Sequence, residues 1–250
     1  MKGIILAGGT GSRLYPMTKV TNKHLLPVGR YPMIYHAVYK LKECGIADIM
    51  VVTGKEHMGD VVNFLGSGAD FDVSFTYRVQ EKAGGIAEAL GLCEQFVGND
   101  RMVVILGDNV FSDSLVHYVK QYEKQEKGAK LLLKEVDDPA RFGVPELKDD
   151  AIVKIEEKPK KPKSRYAVTG IYMYDGDVFE MVKKLKPSHR GELEISDLNN
   201  EYIKRGALTY DILQGWWTDA GTHASLYRAN TLAQDVYFGN GFDKESGETI

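Results

Sequence analysis

Gly8, Gly9 and Gly11 precede Arg13 by at most five residues in "KGIILAGGTGSRLYP", directly after an apolar run at the amino terminus. Glycines let backbone N–H groups come close to phosphate oxygens, and an arginine adds a planar, permanent charge. A plain tight turn has no use for that arginine, so the stretch reads as a phosphate-handling loop. Two familiar versions of such a loop fail on a required residue. A dinucleotide fingerprint needs a third glycine where Leu14 stands, and a P-loop drawn through Gly3 and Gly8 needs a lysine where Gly9 stands. The loop serves some other phosphate chemistry.

Other reactive residue types are sparse. Cys44 and Cys93 lie far apart without a CxxC pair or a histidine at metal-ligand spacing, so they read as core thiols of a protein from a reducing compartment. The Trp216–Trp217 pair reads as core or sheet edge rather than a sugar platform. The lysines that follow Lys158 in "EEKPKKPKSRY" read as a solvated loop.

The elements that must position the loop alternate cleanly. "GIILA", "DIMVVTG", "VSFTYRV" and "RMVVILGD" read as strands, separated by helices in "MIYHAVYKLKECG", "HMGDVVNFLG" and "GIAEALGLCEQF". Such alternation implies βαβ units and a parallel sheet with helices on both faces, its strand ends forming one ligand-binding rim. The second half is more mixed. Strands are expected at 129–136, "AIVKIEEKP", "YAVTGIYMYD" and "LTYDIL", with helices in "VFEMVKKLK", "ELEISDLNNEYIKRG" and after "DAGTH". The expected fold class is α/β, Rossmann-like, with a mainly parallel central sheet flanked by helices and an integrated second lobe. No linker divides the halves, so residues 1–237 form one expected domain (about 1–112 and 113–237), and 238–250 a flexible tail. With 43% hydrophobic and 27% charged residues the chain is an ordinary globular one, and a net charge of −3 offers no basic field for nucleic acid or membranes. No signal peptide or membrane span is expected, which points to the cytoplasm.

"GIILAGGTGSRLYPMTKVTNKHLLPV" resembles the signature of the sugar-phosphate nucleotidylyltransferases, and most closely that of the thymidylyltransferases of glucose 1-phosphate. "VQEKAGGIAEAL", "ILGDN", "RFGV", "EEKP", "YAVTGIYMYD", "RGELEISDLN" and "WWTDAGTH" follow in the family's order, from residue 3 to residue 223. The resemblance implies that a sugar 1-phosphate oxygen attacks the α-phosphorus of a nucleoside triphosphate and expels pyrophosphate. It implies that Leu6, Gly8, Gly9, Gly11, Arg13, Gln80, Gly85 and Asp108 bind the nucleotide. Gln80, with a donor and an acceptor, would read a pyrimidine edge beside Gly85. Arg13, Lys23 and Asp108 carry catalysis by implication, and Asp108 with Asp219 would hold Mg²⁺, which prefers oxygen ligands. On the sugar-phosphate side it implies Lys23, Asn109, Gly143, Glu157, Lys158, Val168 and Arg190. Glu156, next to Glu157 in a strand, should face away.

The sequence departs from the family pattern in places. "RYGVVEF" is here "RFGVPEL", so Phe142 lacks a phenolic hydroxyl and Pro145 a backbone donor, which favours an edge position. "DTGTH" is here "DAGTH". Only 27 residues follow His223, fewer than in long family members whose helical C-terminal segment serves subunit contacts and a regulatory nucleotide site. A different homo-oligomer and no such regulatory site are therefore expected. dTTP with glucose 1-phosphate is the leading substrate pair. UTP, another hexose 1-phosphate, a non-catalytic sugar-nucleotide sensor and a nicotinamide dehydrogenase are the alternatives.

Overall fold

The computed structural model describes residues 1–238. Of the expected tail, 239–250 lie outside the described residues, whereas Phe238 packs its ring 4.3 Å from that of Tyr39. The chain opens with β1 (Lys2–Ala7), short β2 (Pro27–Val28) and β3 (Tyr31–Pro32), then α1 (Met33–Glu43), β4 (Asp48–Gly54), α2 (Met58–Leu65) and β5 (Ser74–Gln80). α3 (Ile86–Gly91) and α4 (Glu94–Val97) follow, where one helix was expected. The break falls after Gly91, whose missing side chain makes room for Val182. Next come β6 (Met102–Leu106), β7 (Asn109–Phe111), α5 (Val116–Glu123) and β8 (Ala129–Glu135). The second half adds β9 (Gly143–Lys148), β10 (Ala151–Glu157), β11 (Tyr166–Tyr174), α6 (Val178–Val182), α7 (Ile195–Lys204), β12 (Leu208–Ile212), β13 (Trp217–Asp219) and α8 (His223–Leu232).

Nine strands form the main sheet, ordered β10-β9-β11-β6-β1-β4-β5, with β8 on β11 and β12 on β8. Its centre is parallel, as the alternation of strands and helices requires. Ile4 pairs with Met50 on one side and Val104 on the other. β11 then runs antiparallel to β6, Ile171 opposite Ile105, so the residues just before Ile171 reach the rim where β1, β5 and β6 end. Both faces are covered, which is why β1 is apolar from Gly3 to Ala7. Ile4 and Leu6 enter the core beneath α3, α6 and α7, while Ile5 and Ala7 enter the one beneath α1 and α5. A third cluster, with Leu14, Val28, Val110 and Ala220, lies beneath α8. Leu14, standing where a dinucleotide loop would have glycine, is fully buried in it.

Pro145 in β9 faces Ile155 of β10, and the Ile155 N–H and C=O turn outward to Asn200. The pair is therefore the non-hydrogen-bonded kind, and the donor that proline lacks would have pointed away from β10. On that open side only the Pro145 carbonyl is engaged, by Ser164 Oγ at 2.6 Å. The ladder loses nothing.

Candidate active site

The rim opens into a cavity of about 570 Å³. Leu6, Gly8, Gly9, Arg13, Lys23, Gln80, Gly85, Asp108, Asn109, Gly143, Glu157, Lys158, Val168 and Asp219 all line it. Of the residues singled out from the sequence, Gly11 and Arg190 stand outside this lining.

Gly9 and Gly11 have φ of 90° and 64°, backbone that side-chain-bearing residues rarely adopt. Gly11 starts a single 3₁₀ turn over Ser12–Leu14, and Thr18 Oγ1 donates to its carbonyl at 2.9 Å. The turn buries Leu14 and leaves Arg13 exposed. A Cβ placed on Gly221 would lie 3.2 Å from Arg13 Nη2 and 3.5 Å from both Asp108 Oδ2 and Asp219 Oδ2. Arg13 and the two carboxylates thus converge on one glycine.

The pairing of β7 with β13 accounts for that convergence. Asn109 lies opposite Asp219, and the Ala220 N–H donates to the Asp108 carbonyl at 2.7 Å. Asp108 Oδ2 accepts from Lys23 Nζ at 2.6 Å, and its Oδ1 from Asn109 Nδ2 at 3.1 Å. Burial opposes ionisation of Asp108, but the Lys23 ammonium outweighs it and holds the carboxyl well below its usual range. Asp219 goes the other way. Burial raises its pKa, although Arg141 Nη2 reaches both its oxygens at 3.3 Å. Among the described residues no group of three or more His, Cys, Asp or Glu forms a complete metal cage.

Asn109 uses both ends of its amide internally. Oδ1 accepts from Gly170 N–H at 2.9 Å and from Trp217 Nε1 at 2.7 Å, which leaves Nδ2 for Asp108. Trp217, read from the sequence as core or sheet edge, is both buried and a wall of the cavity. Phe142 sets its ring edge-on to Trp217, 5.3 Å between centroids, so the position has no need of a hydroxyl.

Across the cavity, Gly143 pairs with Val168 on one side and Glu157 on the other. Its lack of a side chain leaves space for Ser196 Oγ, which donates to Glu157 Oε2 at 2.6 Å. Lys158 lines the cavity with φ 45°, a strained conformation for a side-chain-bearing residue of the kind that gathers at functional sites. Glu156 is exposed and faces away, as alternation requires. Arg190 is held by Glu194 through Nε at 3.0 Å and Nη2 at 2.6 Å, with Glu157 Oε1 at 3.7 Å.

Gln80 lines the cavity with only part of its amide free. Its Nε2 donates to the Gly85 carbonyl at 3.2 Å and to Glu88 Oε2, so both amide hydrogens are used and only Oε1 remains for a ligand. Glu88, Arg141 and Ser196 were not picked out from the sequence. Arg141 and Glu88 stand inside the quoted motifs "RFGV" and "GIAEAL", but nothing in their spacing marks them. His24 is buried and bonded to Asn22 Oδ1 at 2.8 Å. Burial, with Lys23 nearby, lowers its pKa to about 3, so it is neutral and structural at ordinary pH. His223 faces the Tyr15 carbonyl at 3.0 Å.

Residues 2–236 match the Nucleotidyl transferase family model. The chain is 48% identical over 240 residues to the glucose-1-phosphate thymidylyltransferase of Neisseria meningitidis, covering 94% of this chain and 83% of that protein. Against the glucose-1-phosphate thymidylyltransferase of Xanthomonas campestris the identity is 42% over 244 residues, covering 96% and 83%. A crystallised Bacillus anthracis chain, assigned as a glucose-1-phosphate thymidylyltransferase and in complex with sucrose, is 73% identical with a TM-score of 0.94, covering 97% of this chain and 98% of that one. A UDP-glucose pyrophosphorylase complexed with UDP-glucose is 26% identical with a TM-score of 0.81, covering 92% and 97%. The chain, an enzyme with this glycine loop at its sheet rim, belongs to the nucleotidyl transferase family.

Proposed function

We propose that the protein transfers a thymidylyl group from dTTP to glucose 1-phosphate, giving dTDP-glucose and pyrophosphate. One observation carries the reading: a single cavity has the glycine loop and Arg13 beside two carboxylates, and Glu157 with Lys158 on its opposite wall. The similarity to glucose-1-phosphate thymidylyltransferases supports the substrate pair.

In this reading an oxygen of the sugar phosphate forms a bond to the α-phosphorus while the bond from that phosphorus to the bridging oxygen of pyrophosphate breaks. The attacking phosphate is already anionic, so no general base is required, and neutral His24 fits that economy. Catalysis rests on alignment and on neutralising charge. Gly8, Gly9 and Gly11 shape the triphosphate cradle beside Leu6, and Arg13 meets the charge that develops on leaving pyrophosphate. Lys23 leaves its carboxylate partner to bridge the reacting phosphates. Gln80 and Gly85 take the base. Glu157, kept in place by Ser196, accepts from glucose hydroxyls, and Gly143, Val168 and Asn109 bound that end of the cavity. Lys158 takes the sugar phosphate. Arg190 joins it only on exchanging Glu194 for phosphate. Asp108 and Asp219, hard oxygen donors meeting across Gly221, would hold Mg²⁺. When bound, the ion supplies positive charge to the phosphates.

The test is pyrophosphate release from purified protein with Mg²⁺ and glucose 1-phosphate, run separately with dTTP, UTP, ATP, CTP and GTP. Preferential turnover of dTTP is expected, lost by about a hundredfold or more in Asp108→Asn. Silence with every triphosphate overturns the assignment. UTP is the second reading, favoured by the likeness to a UDP-glucose pyrophosphorylase. Higher kcat/KM for UTP than for dTTP would select it.

A further inference from the structure

The bonds around Gln80 bear on how the base would be chosen. An amide can turn over and exchange its oxygen and nitrogen, so a glutamine facing a ligand is ambiguous unless its other side is fixed. Here it is fixed by two groups that can only accept, the Gly85 carbonyl and the Glu88 carboxylate. Both require the NH₂ on their side. Oε1 is thereby turned toward Gly8, where an added Cβ would fall 2.8 Å from it, at the wall of the cavity. Glu88 is half-buried on α3, outside the cavity lining, and its carboxylate packs against Gly84, where a side chain would collide with it. Its hydrogen bond to the cavity lining is the one to Gln80.

We infer that Glu88 is a positioning residue that locks Gln80 as a pure acceptor, and so selects a base carrying a ring N–H at the edge it presents. The inference rests on the function proposed above. Thymine and uracil present N3–H between two carbonyls, and that hydrogen meets Oε1. Cytosine presents a lone pair at N3, which would oppose Oε1 across the same gap. A buried polar site that must pair with a missing donor rejects the wrong ligand strongly. Oriented this way, Gln80 does not separate thymine from uracil, because both carry N3–H.

Equilibrium binding of dTTP and dCTP in the presence of Mg²⁺, measured calorimetrically without sugar phosphate, tests the idea on the wild type, Glu88→Gln and Glu88→Ala. Turnover of the same triphosphates with glucose 1-phosphate is followed in parallel, and thermal unfolding checks that each variant is folded. The wild type should bind dTTP about a hundredfold or more tighter than dCTP. In Glu88→Gln the partner amide can donate as well as accept, so only the Gly85 carbonyl still holds the NH₂ in place and Gln80 turns over more readily. The ratio should fall at least about tenfold, mainly through better dCTP binding. Glu88→Ala frees the same rotation and should move the ratio in the same direction. A residue with a merely structural role would weaken both nucleotides alike. An unchanged ratio in folded variants overturns the inference while the proposed reaction stands. A ratio that collapses as expected, in a protein that turns over neither nucleotide, supports the inference and overturns the reaction.

Discussion

Lys23 and Asp108 form the tightest charge pair in the cavity, with side chains 13% and 15% exposed. Exposed pairs of this type contribute little, but at this burial the removal of one partner strands the other. Lys23→Met should lower unfolding free energy by about 3–5 kcal/mol, and adding Asp108→Asn should restore much of it. Urea melts of both single variants and the double variant measure the coupling, and simple additivity would contradict it. His36 shows the same logic with a proton. It is buried with Nε2 facing the Val28 carbonyl at 3.0 Å, and burial lowers its pKa from 6.5 to about 4. Its folded pKa lies below the unfolded one, so the stabilisation is complete above about pH 6.5 and is lost as pH falls toward 4. Over that window unfolding takes up a proton that the native state refuses, a slope of about 1.4 kcal/mol per pH unit from this residue. Denaturant melts from pH 7 to 4 should show a shallower slope for His36→Leu than for wild type, and parallel slopes would contradict the assignment. At this scale the sequence was informative where position marks a residue, as with Arg13 inside the glycine stretch, or Asp108 and Glu157 through the family resemblance. It was silent on Glu88, Arg141 and Ser196, whose types are common and whose meaning comes from a neighbour distant in the chain or across a turn.

The start of α8 was legible after "DAGTH", although the residue that caps it was not. Thr222 does, its Oγ1 accepting from the Ser225 N–H at 3.2 Å while Ser225 Oγ accepts from the Thr222 N–H at 3.0 Å. This reciprocal pair anchors the helix that follows Asp219 and Gly221. Thr222→Ala should cost about 1 kcal/mol, seen as a fall in Tm of about 2–4 °C. No change in Tm would mean the cap is redundant. β1 and β4 were readable as continuous apolar runs, and α1 by its helical spacing. α7 begins at Ile195, later than its apolar spacing suggests, because Glu194 turns its side chain to Arg190 and Ser188. β7 and β13 hold three residues each, too few for any periodicity. Their pairing is nevertheless what sets Asp108 beside Asp219.

For the whole molecule, the sheet's order interleaves the two halves. β6 finds its second neighbour in β11, and the core beneath α3 also takes residues from β8, β11, α6 and α7. The proposed single domain should therefore unfold in one calorimetric peak, and a fragment of residues 1–112 should fail to show cooperative melting. Two resolved peaks, or a cooperative fragment, would contradict that proposal. Alternating strands and helices made the parallel centre legible. The antiparallel turn at β11 was not, because its apolar run, covered on both faces, is the same in either direction.

The β7–β13 ribbon also has a consequence in time. A ribosome delivers Asp108 long before Asp219, and amino-terminal segments begin to fold as they emerge. Until residues 217–219 arrive to lie along 109–111, the growing chain has its glycine loop and only one of the two carboxylates. Synthesis interrupted anywhere in the preceding hundred residues leaves a product lacking half of the acidic pair. Under the proposed mechanism, partial chains that end before Asp219 would therefore be catalytically incompetent.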